Sequence, residues 1–456
     1  MHKKNITIKE SLKACWVEGA FANVMLGIFD YYLIPFALFL GAKNLQIGFL
    51  VAFSHLLGSL SQIFSVNIAK KIQSRQKLLI NFSILQGSLL IFIASLIFIS
   101  SPLSIYFLMV LTILFRILAN ILGAFWGSLV SEYLPPEKRG IYFGWRSQIV
   151  GLAGLGGVAF GGMTLHFFEN GFTGKAFFIL FALGCLCRFF SAYYFTKMKD
   201  LPTTYNPEHQ FTFKMFIKSF RKSNFAKFTF FVGSLTLATY ISAPYYAVYL
   251  LQDLKFSYGS YMIIQVAAVI GGLVAFPIWG KHADLVGNAK MLKLSSVLIP
   301  LVPIAVLVSP HFYYLFCVEL IGGILWGGFN LCAINFIYDA VTPPKRMRCL
   351  SYFTLINGIA IFIGSTSGGF IIPHLPTIKG FHLLTLFLIS GILRFASYIF
   401  LFHHFKEVRA VQHQVSSLRL FFSVVKARPL IGLARGWNAM IILKDFFEKE
   451  EGGPQT

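Results

Sequence analysis

Three ionisable side chains lie deep within long apolar stretches: Asp30, Arg116 and Glu319. A charge at membrane depth is costly, so each counts as a functional candidate by default. Asp30 sits about 14 residues into the run 16–40, or ~21 Å along a helix. Arg116 sits ~20 Å from the far end of the run 103–131. Opposite charges at one depth suit a pair in which Asp30 exchanges a proton. Arg116 would then bind substrate charge or set the proton affinity of the carboxyl. The alternative is a static pair that joins two helices. Asn120 follows Arg116 in the same run. Glu319, ~12 Å into its run, suits an outer gate, a second proton site or an interfacial carboxylate. Glu18 reads as an interfacial charge near Lys13, and Arg188 and Arg394 as residues that snorkel to headgroups. His55, Gln148, Gln265, Asn330, Asn335 and Asn357 are polar residues in apolar runs. They can hydrogen-bond a polar solute or join helices. Trp126 and Trp326 suit ligand stacking or packing.

The elements that hold these residues follow from composition. Hydrophobic residues are 56 % of 456 and charged residues 12 %, against roughly 25 % charged in soluble domains. A spanning helix needs about 20 apolar residues. Twelve runs qualify: 16–40, 45–68, 78–100, 103–131, 141–166, 175–196, 227–252, 257–280, 289–308, 311–338, 349–373 and 381–404. The expectation is an all-α integral membrane protein of twelve helices. The first run holds Glu18 and Asp30 and lacks a signal peptide's short, clean core, so it is expected to remain as a span.

Charge placement predicts orientation. With the N-terminus inside, the inner segments are 1–15, 69–77, 132–146, 197–227, 281–293, 339–348 and 405–456. They hold 32 of the 39 Lys and Arg residues. The outer loops hold Lys43, Lys175, Lys255 and Lys379, and three Arg lie within spans. This bias follows the positive-inside rule, so both termini are expected in the cytoplasm, in a bacterial-type inner membrane. It also explains the net charge of +22 without nucleic acid. The segments 211–228 and 415–436 mix apolar and basic residues and suit anionic inner-leaflet lipids. Arg419, Lys426, Arg428 and Arg435 argue against a thirteenth span.

An internal repeat emerges from four matches. Ile34-Pro35 answers to Ala243-Pro244. Glu132 and Arg139 answer to Asp339 and Arg346. Gly161-Gly162 answers to Gly368-Gly369, and Arg188-Phe189 to Arg394-Phe395. The offsets run from 206 to 209 residues. Each half has six spans, so both enter the membrane in the same sense, as parallel repeats. The units are 1–196, a linker 197–227, 228–404 and a basic tail 405–456.

One loop carries a family signature. Between spans 8 and 9 the chain reads Gly280-Lys-His-Ala-Asp284-Leu-Val-Gly287-Asn-Ala-Lys290. This resembles G-x-x-x-D-x-x-G-R/K-x-R/K of the major facilitator superfamily. The resemblance implies a latch that holds the cytoplasmic side closed, with Asp284 capping a helix start or pairing with a base. The second Gly makes a tight turn. Between spans 2 and 3 the same spacing carries Asn67 and Lys71 in place of Gly and Asp. The acidic position is lost, so that half's latch needs other chemistry. Glu132 with Arg139, and Asp339 with Arg346, resemble acid-x6-Arg pairs in sugar-porter relatives. Arg116 resembles the span-4 arginine linked to proton coupling, with Gly123 later than usual. Span 5 lacks the Gly-Pro step of drug antiporters.

Other chemistries are missing from the sequence. There is no G-x4-G-K-S/T phosphate loop, no HExxH and no G-x-S-x-G. The six Cys show no CxxC and read as small buried hydrophobes. His403-His404 reads as interfacial. No metal or cofactor is expected beyond a coupling proton. The expected function is secondary active transport of a small organic solute by a monomer, not enzymatic. The rivals are a uniporter, an exporter and a membrane sensor.

Overall fold

A computed structural model of the chain describes residues 7–71, 74–99, 101–134, 136–169, 171–201, 213–218 and 223–408. The side chains of 65–67, 69–71, 136–141, 214, 343–344 and 347 are outside that description. Among the described residues, twelve helices are long and apolar enough to cross a membrane. They are Ile8–Phe39, Asn44–Phe64, Arg75–Phe98, Leu103–Ser131, Tyr142–Phe167 and Thr173–Phe195, then Asn224–Asp253, Tyr258–Val286, Asn288–Ala305, Phe312–Ala340, Arg348–His374 and His382–His404. These spans, numbered 1 to 12, answer one for one to the apolar runs. The chain is an all-α, multi-pass membrane protein.

Local signals lengthen two helices beyond their apolar runs. Thr7 and Glu10 form a capping box at the start of span 1. The Glu10 N–H donates to the Thr7 hydroxyl at 3.2 Å, and the Thr7 N–H donates to the Glu10 carboxylate at 2.9 Å. Two end groups satisfy each other, so the helix starts at Ile8. The span 5 helix starts at Pro136, where a missing N–H costs nothing. Each extension draws a charge inward: Glu18 and Arg146 both lie ten residues past their helix starts.

Two prolines act on the backbone at matched positions. Each lacks an N–H and releases the carbonyl four residues earlier from the helix ladder. Pro35 releases Tyr31, and Pro244 releases Tyr240. Span 1 continues helical through Pro35. Span 7 does not: its regular helix covers Asn224–Tyr240, a tight turn follows at Ala243–Tyr245, and a wide turn at Tyr249–Asp253.

The packing repeats as the sequence does. In the first half, span 1 packs on 5 and 6, span 2 on 4, and span 3 on 4 and 6. In the second half, span 7 packs on 11 and 12, span 8 on 10, and span 9 on 10 and 12. Adding six to every number in the first set gives the second. Equivalent ties recur: the Tyr32 hydroxyl donates to the Val158 carbonyl at 2.5 Å, and Tyr245 to Ser365 at 2.6 Å. Small residues permit these approaches. A Cβ at Gly157 would come within 3.1 Å of the Val24 Cα, and one at Gly327 within 2.8 Å of the Gly272 Cα. Lipid gives no hydrophobic drive between helices, so such close contact supplies much of the adhesion.

The halves meet along two seams, span 2 on 11 and span 5 on 8. The first runs from Gly369 against Leu45 down to Gly358 against Ser59. The second runs from Gly162 against Met262 down to Gly151 against Leu273. Both reach from the end bearing the sparsely charged loops to about mid-span. Toward the basic end, a methyl group on Gly123, Gly127 or Gly144 would meet nothing within 4 Å. The short helix Phe213–Lys218 buries Phe216 against Tyr352 and Phe225, leaving Met215 and Ile217 exposed. Its aromatic side therefore rests on protein. The tail segment 415–436 lies outside the described residues.

Candidate functional site

Spans 1 and 4 bring Asp30 and Arg116 together. Arg116 Nη2 donates to Asp30 Oδ1 at 2.6 Å. The Asp30 side chain is 39 % exposed and that of Arg116 18 %, so the carboxylate stays open to the space between the halves. The Arg116 guanidinium stands 5.3 Å from the Phe29 ring centroid, and Phe29 stacks on Phe115. Asn120 donates to the Arg116 carbonyl one turn back, at 3.0 Å, and Gly58 of span 2 packs against both. His55 lies near Arg116, and its ring sits 5.9 Å from that of Tyr240 across the seam.

A second acidic and basic residue share a cavity in the other half. Glu319 of span 10 and Arg394 of span 12 line a cavity of about 460 Å³. Tyr31, Tyr246, Trp326 and Asn330 share its wall. Arg394 is 5 % exposed. It therefore does not snorkel to headgroups; it turns inward toward Glu319. Glu319 stands beside Tyr246 rather than in an interface. Tyr31, next to Asp30 in span 1, lines the same cavity as Glu319.

The remaining polar candidates divide. Asn330 is on the cavity wall. Gln265 lies beside the Tyr261 hydroxyl. Asn357 instead joins helices: it accepts from Thr236 at 2.7 Å and donates to the Phe353 carbonyl at 2.8 Å. Gln148 and Asn335 are half-buried and line neither this cavity nor a second one around Glu18. Trp126 carries the Arg146 guanidinium at 4.3 Å from its ring centroid.

At the basic end the two halves use one geometry with different chemistry. Arg75, at the head of span 3, grips Glu132 with two hydrogen bonds of 2.7 and 2.6 Å. In the second half Asn288, at the head of span 9, donates to Asp339 at 2.8 Å. Glu132 thus has a partner outside the expected acid-x6-Arg spacing, because Arg75 points inward at 2 % exposure. The side chains of Lys71 and Arg139 are outside the described residues. Arg346 lies over the Tyr338 ring and donates to the Tyr338 carbonyl at 3.1 Å. Gly287 adopts φ +89°, the left-handed turn its motif requires. The next helix start is capped from elsewhere: the Ala289 N–H donates to Glu407 at 2.7 Å. Gly280, Asp284 and Lys290 flank this turn. Tyr133 donates to the Lys199 carbonyl, and burial pushes its hydroxyl well above the usual range, keeping it a donor.

Sequence reasoning missed one cluster. Glu18 is 3 % exposed and is not interfacial. It pairs with Arg146 at 3.4 Å and Arg188 at 3.8 Å, and accepts from Ser191 at 3.1 Å. Arg188 is likewise buried rather than snorkelling. The available signal was Thr7-x-x-Glu10, which starts span 1 earlier and places Glu18 deeper.

Comparison with known proteins agrees with this architecture. Residues 228–447 match the family model described as Major Facilitator Superfamily. A mutant form of the nucleoside transporter NupG superposes with TM-score 0.69 at 13 % identity, over 87 % of this chain and 100 % of that one. A bacterial homologue of the iron transporter ferroportin, in an inward-facing state, gives 0.63 at 14 % identity, over 86 % and 98 %. A POT family transporter in complex with a thioalcohol-conjugated peptide gives 0.64 at 14 %, over 85 % and 94 %. No curated protein matches the chain. The chain shares the fold of these transporters over most of its length, and residues 228–447 carry the superfamily's sequence pattern.

Proposed function

We propose that this protein is a secondary active transporter of a small organic solute, working by alternating access and coupled to protons. The Asp30–Arg116 pair carries this reading. It joins two spans near mid-bilayer, with a carboxylate 39 % exposed between halves that touch only over part of their length. Protonating Asp30 removes its charge and frees the guanidinium to hold a polar group of the solute. Losing the proton restores the pair and releases the solute. A low-dielectric site makes these alternatives steep, because an arginine left without its partner is costly. Glu319 and Arg394 supply charge on the wall of the neighbouring cavity, and Asn330 and Trp326 supply polar and stacking contacts. The basic end, with both termini, faces the cytoplasm of a bacterial-type cell, as the Lys and Arg bias favours. In this orientation the closed seams lie outside and the cleft opens inward.

The test is solute uptake into proteoliposomes under an imposed pH gradient. Asp30→Asn should abolish gradient-driven uptake while leaving solute exchange. Unchanged uptake in both Asp30→Asn and Arg116→Ala would sink the assignment of the pair. Uptake indifferent to the gradient in the unaltered protein would make it a uniporter.

A further inference from the structure

We propose that the first half contains a separate binding site for a small organic carboxylate, built around Arg146, Arg188 and Trp126. The site is a cavity of about 210 Å³ that includes Glu18 in its lining. It stands apart from the central pair: Glu18 precedes Asp30 by twelve residues, ~18 Å along the helix. The transport reading makes no use of it.

Three observations point to an anion. The first is charge. Two guanidinium groups surround one carboxylate, at 3.4 and 3.8 Å, and these side chains are 12 % exposed or less. The cluster therefore carries one unbalanced positive charge inside a membrane helix bundle, where an unpaired charge is expensive. A monoanion restores neutrality. The second is hydrogen bonding. The Arg188 Nε–H is buried and has no acceptor among the described residues, and its side chain lines the cavity. Buried donors without acceptors are rare and call for a partner. A carboxylate has two acceptor oxygens and suits guanidinium donors. The third is shape. Ala22, Met25, Leu26 and Leu122 form an apolar wall of the same cavity, which fits a short hydrocarbon tail. The glycine at 123, also in the wall, opens onto free space, so a solute can enter from the cleft.

The experiment is thermal unfolding of the purified full chain in detergent, titrated with butyrate, butyramide, inorganic phosphate and chloride. Butyrate should raise the midpoint saturably, since a ligand of the folded state stabilises it. Butyramide, with the same tail and no charge, should not. Arg188→Gln should weaken butyrate binding about tenfold or more, as expected for one lost charge-assisted contact. Glu18→Gln should tighten it, because the site then holds two unbalanced positive charges. Glu18→Gln keeps the test decisive if Arg188→Gln fails to fold. A butyrate response that persists in Arg116→Gln, which lacks the central guanidinium, belongs to this site and not to the transport pair, and loss of the response in that variant overturns the proposal. The proposal is overturned if butyrate gives no shift, if butyramide matches it, or if Glu18→Gln weakens binding. A response to phosphate or chloride but not butyrate overturns the carboxylate assignment.

Discussion

At the scale of single residues, Arg75 offers the sharpest contrast between the two halves. It holds Glu132 with two charged hydrogen bonds, where the second half uses a neutral amide on Asp339. A fully buried pair broken on one side costs ~3–5 kcal/mol. Glu132 is 37 % exposed, so its charge can reach water, and Arg75→Gln should cost nearer ~2 kcal/mol. Asn288→Ala should cost about 1 kcal/mol, the value of an ordinary hydrogen bond. Thermal unfolding of the two variants side by side checks the order; equal losses would refute the ranking. Asp30 and Arg116 were legible in the sequence because depth alone singles out charges in mid-run. The depth of Glu18 and Arg146 was not, because their apolar windows begin after their helices do, and the turn of Arg188 toward them is set by tertiary packing. Caps and prolines, not hydropathy, set those ends.

At the scale of elements, the packing within each half depends on what is missing from side chains. Gly157 and Gly327 each sit on the backbone of a neighbouring helix. Leucine at either position must push two spans apart, and should yield protein that aggregates on extraction, read as loss of the monodisperse peak in size-exclusion chromatography. Tyr261 makes a subtler tie. Its hydroxyl donates to the Tyr31 carbonyl across the halves, at 2.8 Å. That carbonyl is available because Pro35 has no N–H to occupy it. Tyr261→Phe keeps the ring and strips the bond. It should loosen the closed end, read as faster modification of a cysteine placed at Met262 by a membrane-impermeant thiol reagent. The spans and their pairing were readable from runs and repeats. The bond from Tyr261 was not, since it needs the register between two helices 230 residues apart.

At the scale of the whole molecule, the two seams are related by the same repeat as the halves. Span 2 on 11 and span 5 on 8 exchange when six is added or subtracted, so closure is balanced on both sides of the cleft. Locking one seam should therefore arrest the whole. A Cβ at position 369 lies 3.0 Å from the Leu45 Cα, close enough for a disulfide between cysteines at 45 and 369. Of the native cysteines, five are buried and Cys317 is exposed, so Cys317→Ser supplies a clean background. Oxidation of that double-cysteine protein should stop solute uptake, and reduction should restore it. Continued uptake with the crosslink formed would show that this seam does not part during transport.

The second proline has the further consequence. Pro244 frees the Tyr240 carbonyl as Pro35 frees that of Tyr31, and the chain on either side of it, Ser242, Ala243 and Tyr246, faces the Glu319 cavity. Irregular backbone at membrane depth is tolerated where it borders such a space. Part of what the cavity reads is therefore written in peptide groups, which alanine scanning leaves in place. Pro244→Ala is the informative change there: it adds an N–H to the backbone beside Ala243 without deleting any polar side chain.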